Sequence, residues 1–322
     1  MGALSPYGSA APLHDCSCNK AQELAERAVQ ALIAEALLTP KPALVDRRGR
    51  GAHHDLDLEC LLRSAQSLRE GFRDMAQRAA DQLPSLALRE DLGSIGRDAE
   101  RAMLRATGGA NAHRGAIWSL GLLVAASAMS SVSALAGQTE GQRGGQRSSQ
   151  RSGQIAGQIA NEAARIARLP DRFAPRAASN GLLAGARYGV RGARGEAEAG
   201  FPHVIHIGLP ALQRSRERSA DETCARIDAL LAIMEHLSDT CLLHRGGPAA
   251  LAAAQSGARG VRAAGGTATA AGWDALLALD AELLARWASP GGAADLLAAC
   301  LFLDGPSHHR AIIEEANPSW SC

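Results

Sequence analysis

Aromatic side chains are nearly missing from this chain, at 3% of 322 residues. β-Branched residues are scarce as well, and most of the 46% hydrophobic content is alanine and leucine. Sheets favour the very residue types in short supply, whereas alanine and leucine are strong helix formers. Composition therefore predicts an all-α protein, with enough apolar residues for a sizeable core. Charge of one sign is also missing: 34 basic residues against 33 acidic ones leave a net charge of +1. That balance excludes the broad basic face through which a protein attracts a nucleic acid. Lysine is confined to Lys20 and Lys41, and arginine supplies the rest of the basic charge.

Cysteine forms no framework here. Cys16, Cys18, Cys60, Cys224, Cys241, Cys300 and Cys322 are scattered and odd in number. With no signal peptide in view, a reducing cytoplasm is the expected setting. His14, Cys16 and Cys18 are spaced like metal ligands, but no second ligand pair at zinc-site spacing follows them. An uninterrupted apolar run suited to a bilayer is missing too. Residues 116–137 carry no charge, yet Ser119, Ser127, Ser130, Ser131 and Ser133 break the run. A buried central helix is expected there, and no membrane span.

Residues 1–19 read as a flexible tail, 20–304 as one helical domain, and 305–322 as a second tail. Apolar spacing predicts helices over 20–38 and 56–82, with Thr39-Pro40-Lys41-Pro42 ending the first. Ser94 is a candidate N-cap for a helix running to Ala106. Residues 137–154, rich in glycine, glutamine, arginine and serine, predict a flexible loop. Helices are expected again over 155–169, 203–214, 221–237, 248–264, 269–288 and 293–303, with an irregular stretch from 170 to 202.

The polar residues gather in five connections, where functional groups usually lie. The first runs from Glu35 through Thr39-Pro40-Lys41-Pro42-Ala43-Leu44-Val45-Asp46-Arg47 to Gly51-Ala52-His53-His54-Asp55-Leu56-Asp57. The second, Thr107-Gly108-Gly109-Ala110-Asn111-Ala112-His113-Arg114-Gly115, opens the most apolar helix of the sequence. Glycines allow close backbone approach, a helix start presents unpaired N–H groups, and arginine matches phosphate oxygens. These features suggest a phosphate-binding turn, although an ordinary glycine-rich connection has the same composition. The third is Gly192-Ala193-Arg194-Gly195-Glu196-Ala197 with Gly200-Phe201-Pro202. The fourth spans Asp239-Thr240-Cys241-Leu242-Leu243-His244-Arg245-Gly246-Gly247, and the fifth runs from Pro290-Gly291-Gly292 through Asp295 to Asp304.

In this order, from Glu35 to Asp304, the motifs resemble the triphosphoribosyl-dephospho-coenzyme A synthase family. Pro40-Lys41-Pro42, His113-Arg114-Gly115-Ala116-Ile117 and Gly192-Ala193-Arg194-Gly195-Glu196-Ala197 are specific in combination. Gly200-Phe201-Pro202-His203-Val204 with Leu209-Pro210-Ala211-Leu212 is more similar to the malonate decarboxylase branch than to the citrate lyase branch. The resemblance implies a cytoplasmic pentosyl transferase acting on ATP and 3′-dephospho-coenzyme A. The ribose 2′-hydroxyl of the latter attacks C1′ of ATP, adenine leaves, and all three phosphates are kept. The product, 2′-(5″-triphosphoribosyl)-3′-dephospho-coenzyme A, would pass to a phosphoribosyl-dephospho-coenzyme A transferase and then to an acyl-carrier protein. An N-ribosyl hydrolase and a catalytically impaired helical nucleotide-binding protein are the alternatives.

Such chemistry calls for carboxylates near an oxocarbenium-like C1′, a base, an acid, and cations for the triphosphate. On the resemblance, Lys41, Arg114, Arg194 and Arg245 are expected at phosphates, with Gly108, Gly109, Asn111 and Gly115 around them. Glu35, Glu196 and Asp239 are candidates for base or oxocarbenium stabiliser, and His53 or His113 for proton donor to adenine. Asp46, Asp55 and Asp57 are the candidate Mg²⁺ ligands, oxygen donors being what that ion takes. Each carboxylate could equally cap a helix or sit in a solvated ion pair. Three positions depart from the family pattern: Ala43 replaces glycine, Ala112 replaces threonine, and Cys241 replaces asparagine.

Overall fold

The computed structural model describes residues 13–129, 145–175, 179–218 and 220–305, with side chains from residue 18 onward and, in the second segment, from residue 151. The described residues form helices α1 (Leu13–Leu37), α2 (Leu58–Ser67), α3 (Arg69–Ala79), α4 (Leu86–Ala106) and α5 (Arg114–Ala128). They continue with α6 (Gly145–Ala167), α7 (Asn180–Tyr188), α8 (Gly192–Glu198) and a π-turn, Val204–Gly208. The last are α9 (Leu209–Glu217), α10 (Glu222–His236), α11 (Thr240–Ala263), α12 (Ala270–Ala285) and α13 (Gly291–Asp304). No strand occurs among the described residues; one isolated bridge joins Asp46 and Gly49.

Helices α5 and α13 lie at the centre because they have almost no polar face. Nearly every residue from Ala116 to Ala128 is buried, as are those from Ala293 to Leu303 except Asp295. They pack on each other, and α1, α3, α6, α10 and the π-turn surround them. Small side chains let these helices approach closely, which suits a core with so few aromatic residues. The absence of a polar stripe on α13 makes Asp295 conspicuous.

Several element boundaries differ from the sequence expectation for identifiable reasons. Helix α1 begins at Leu13, inside the expected tail, while residues 1–12 lie outside the described residues. The expected helix over 56–82 is two helices that meet at Leu68 (φ −88, ψ −9), where the turn tightens and the Leu68 N–H reaches back to the Ala65 carbonyl. Ser85, not Ser94, caps α4 by accepting from the Leu88 N–H, and Ser94 is interior to that helix. The flexible loop expected over 137–154 is helical from Gly145 onward; residues 137–144 lie outside the described residues. The irregular stretch before Pro202 contains α7 and α8, both too short for a periodic signal. Thr240 starts α11 earlier than expected, with a kink at Gly247 that accommodates Pro248. The tail expected from 305 is described only at Gly305.

The long connection between α1 and α2 is ordered by its own backbone. Ala52 N–H donates to the Ala43 carbonyl at 2.8 Å, and Asp280 accepts the Ala43 N–H at 2.7 Å. Ala43 is held at φ +53, a region that glycine enters without steric cost. This is the physical reason a glycine suits the position it occupies. At Gly51, also at φ +53, an added Cβ would come within 2.4 Å of the Ala43 carbonyl oxygen. Gly51→Ala is therefore expected to lower the stability of the protein by about 2–4 kcal/mol, read from denaturant unfolding. An unchanged midpoint would contradict this account of the loop.

Candidate active site

Three helices, α5, α11 and α13, begin beside one another, and two carboxylates lie between their starts. Asp239 is the N-cap of α11: Oδ1 accepts the N–H groups of Cys241 at 2.7 Å and Leu242 at 3.4 Å. Its Oδ2 accepts the Ala293 N–H of α13 at 2.9 Å. One side chain thus supplies the missing partners of two helix starts. Asp295, one turn into α13, lies against Gly115 at the start of α5, with the Ala116 N–H turned towards it. A Cβ at Gly115 would fall 2.0 Å from Asp295 Oδ2, so this approach requires glycine. Asp239 is buried, whereas Asp295 stays partly exposed.

A third carboxylate approaches from α1. Glu35 is buried and paired with the equally buried Lys41, whose Nζ lies 2.6 Å from Glu35 Oε1 and 2.7 Å from the Glu35 carbonyl. Burial pushes the Asp295 carboxyl well above the usual range, and the nearby charges of Glu35 and Asp239 push it further. Asp239 is raised by burial, against the lowering effect of the N–H groups it accepts. The thiol of Cys241 is raised by burial and by the two aspartates. Cys241 enters the Asp239 cap through its backbone N–H. Replacing asparagine with cysteine here therefore leaves the cap intact.

The two histidines of this region are neutral at pH 7. Burial and the Lys41 charge bring His113 down to about 4, and its Nδ1 lies 2.7 Å from Ser64 Oγ. His53 is likewise lowered to about 4 by burial and by Arg245. Arg245 Nη2 donates to His53 Nδ1 at 3.0 Å, and Nη1 donates to the Ala52 carbonyl at 2.7 Å. The proton of neutral His53 is then on Nε2, which meets Ser289 Oγ at 2.9 Å. Histidines this hard to protonate are poorly suited to donating a proton to adenine at neutral pH.

The structure brings Glu35, Lys41, His113, Gly115, Asp239 and Asp295 together, and Arg245 with His53 beside them. It places other candidates differently. Gly108 and Gly109 take positive φ, and Gly109 N–H bonds back to the Leu104 carbonyl, so this pair ends α4. Asn111 Oδ1 accepts the Arg114 N–H at 3.3 Å, a weak cap on α5. Exposed Arg114 pairs with Glu100, and exposed Arg194 pairs with Glu198. Ala112 packs against the apolar cluster formed by Ala36, Val45, Leu56, Cys60 and Leu61.

Glu196 is engaged elsewhere. Its Oε1 accepts the His203 N–H at 2.8 Å and its Oε2 lies 2.7 Å from His203 Nδ1. Both oxygens bind one residue, which fastens α8 to the turn ahead of α9. The Glu196 carboxylate raises the His203 imidazole, against the effect of burial.

The candidate Mg²⁺ ligands do not form a cage. Asp46 accepts from Thr39 Oγ1, Lys41 N, Arg48 N and Arg48 Nε, leaving its oxygens committed. Asp57 caps α2 through the Cys60 N–H and pairs with Arg50. Asp55 is exposed, 4.0 Å from His53 Nδ1. These donors do not fit a common ion, and no set of three histidine, cysteine, aspartate or glutamate residues among the described residues could hold one.

Sequence reasoning quoted Asp295 only within its motif and gave it no role. The signal was present: it is the only charge between Pro290 and Leu303. Ser289 and Asp280 were missed altogether, since their partners are more than 230 residues away in sequence.

A family model described as ATP:dephospho-CoA triphosphoribosyl transferase matches residues 21–312. A Pseudomonas fluorescens protein named probable 2-(5''-triphosphoribosyl)-3'-dephosphocoenzyme-A synthase is 53% identical over 299 residues, covering 92% of this chain and 96% of its own. The 2-(5''-triphosphoribosyl)-3'-dephosphocoenzyme-A synthase of Klebsiella pneumoniae is 52% identical over 293 residues, covering 91% of this chain and 97% of its own. A Pseudomonas aeruginosa protein with the same name as the first is 55% identical over 282 residues, covering 87% and 89%. No solved structure matches the chain.

The Glu196–His203 pair makes stability depend on pH. His203 binds a proton more tightly in the folded chain than at its unfolded value of about 6.5. Its contribution is thus complete below that value and is lost as pH rises through the folded one. His203→Gln is expected to cost about 1–2 kcal/mol more at pH 6 than at pH 9, by denaturant unfolding at both. Equal costs at the two pH values would contradict a charged pair.

Proposed function

The chain belongs to the ATP:dephospho-CoA triphosphoribosyl transferase family, and from that premise we propose the reaction it performs. The protein joins the triphosphoribosyl group of ATP to the ribose 2′-hydroxyl of 3′-dephospho-coenzyme A and releases adenine. The structural observation that supports this reading is the meeting of Glu35, Asp239 and Asp295 at three helix starts, with a single buried lysine among them. Displacement at an anomeric carbon develops positive charge on C1′ and the ring oxygen, which a carboxylate stabilises. Glu35, kept next to Lys41, has the chemistry for that task.

Cations for the triphosphate stand around this centre. Arg114 precedes Gly115, and Arg245 reaches back over the α1–α2 connection; both side chains are exposed. Arg194, on α8, is exposed as well, and the α8 segment touches α5 through the Trp118 N–H to the Ala193 carbonyl. On binding ATP these guanidinium groups would exchange their present partners for phosphate oxygens. Each such contact contributes about 4 kcal/mol at ~4 Å and an effective dielectric near 20, before desolvation. In this reading Mg²⁺ comes with the phosphates of ATP, since the ion commonly binds through substrate phosphates and few carboxylates.

The same reading extends to the pathway. The Gly200-Phe201-Pro202-His203-Val204 segment supports a product destined for the acyl-carrier protein of a malonate decarboxylase. Phe201 there is buried at φ +56, and the neighbouring His203 holds Glu196, so the segment is part of the framework around α8.

The test is chromatography of ATP incubated with the protein, with and without 3′-dephospho-coenzyme A. Adenine is expected only when both substrates are present, in a one-to-one ratio with the triphosphoribosyl product. Adenine formed without the acceptor would mean a hydrolase, and no adenine at all would contradict the transferase. Arg114→Ala is expected to raise KM for ATP about tenfold, the loss of roughly 1.4 kcal/mol of binding. Its melting temperature should stay unchanged, because the Arg114–Glu100 pair is exposed.

A further inference from the structure

Of the three carboxylates at the helix junction, two already have fixed work. Glu35 is bound to Lys41 at 2.6 Å, and both oxygens of Asp239 accept backbone N–H groups. Asp295 differs from both. The residue is partly exposed, one backbone N–H, that of Ala116, is turned towards its carboxyl, and it lies against a glycine whose missing Cβ leaves room for that carboxyl. It projects from α13, a helix buried at every position from Ala293 to Leu303 except its own, so its backbone is held on all sides by packing. A reactive group needs this combination of access and support.

We propose that Asp295 is a catalytic residue that gives its proton to the departing adenine. The inference rests on the transferase reading and assigns it an acid. As the C1′–N9 bond breaks, its electron pair goes to adenine, and a ring nitrogen takes the proton from the Asp295 carboxyl. The oxygen of the dephospho-coenzyme A 2′-hydroxyl supplies the pair that forms the new bond to C1′. The proton of that hydroxyl is released to solvent, from which Asp295 is reprotonated, so the acid is restored and no net proton is consumed.

The surroundings favour a protonated group at this point. Burial raises the Asp295 carboxyl most, and Glu35 of α1 and Asp239 at the start of α11 add to it by facing Asp295 with negative charge. Cys241, also on α11, is kept as the thiol. Lys41 lies beyond Glu35, and His113 at the start of α5 is neutral. Arg245 acts from the following turn of α11 on Cys241. Glu196 and His203, ahead of the π-turn, are paired with each other. A carboxylic acid held neutral by such a setting can donate at pH 7.

Asp295→Asn tests the role, because the amide has nearly the shape of the protonated acid and cannot release a proton. Turnover is compared with ATP and with p-nitrophenyl riboside 5′-triphosphate, whose leaving group departs as an anion without protonation. With 3′-dephospho-coenzyme A as acceptor, the variant is expected to lose about 10²–10⁴-fold in kcat with ATP. With the activated substrate it should stay within about tenfold of wild type. Equal losses with both substrates, or no loss with ATP, would overturn the assignment. Wild-type protein that released no adenine from ATP would instead overturn the transferase reading itself. Should Asp295→Asn not fold, the wild type decides the matter through its pH profile. kcat with ATP should fall on the alkaline side, and kcat with the activated substrate should not; identical profiles would count against Asp295.

Discussion

Asp239 stands where two helices begin, and its two oxygens are divided between them. One accepts the first N–H groups of α11, and the other accepts an N–H of α13. Helix starts carry unsatisfied donors and partial positive charge, so a buried carboxylate is a fitting partner for both. Because α13 is registered on α11 in this way, Asp295 is delivered to the start of α5. Because α5 begins with Gly115, the carboxyl fits there. The site therefore depends on a hydrogen-bonding constraint that is independent of any ligand.

The electrostatic consequences follow from burial. Three carboxylates share a region in which the buried cation is Lys41, and that lysine is committed to Glu35. Burial and the surrounding negative charge push Asp295 up, while burial with the Lys41 and Arg245 charges pushes His113 and His53 down. The expected roles thereby exchange places. Histidines that looked like proton donors are neutral acceptors or structural partners, and an aspartate carries the proton. The guanidinium groups remain at the periphery, where they are solvated and free to change partners. Such a division suits a reaction that keeps a polyanion whole while breaking a neutral C–N bond beside it.

The helical class was legible from alanine and leucine content alone, and the five polar connections were legible as clusters. Their meeting was not, because it depends on contacts such as Ala43 to Asp280 and His53 to Ser289 that join distant parts of the chain. Motif spacing also could not separate caps from catalysts. Asp57 and Asp239 read as candidate ligands or bases, and both turn out to cap helices. Glycines 108 and 109 read as a ligand turn, while their positive φ values serve the end of α4. Asp295 carried the opposite signal, a lone charge in an apolar helix. That pattern is informative because a carboxyl set into an apolar helix is costly unless something requires it.

The proposed chemistry occurs where α5, α11 and α13 begin. A crystal structure with ATP and 3′-dephospho-coenzyme A bound tests it most directly. The ATP ribose is expected at this junction, with the adenine–ribose bond within hydrogen-bonding reach of the Asp295 carboxyl and the phosphates turned towards Arg114, Arg194 or Arg245. Substrates bound on another face, with the Asp295 carboxyl out of contact with either of them, would contradict it.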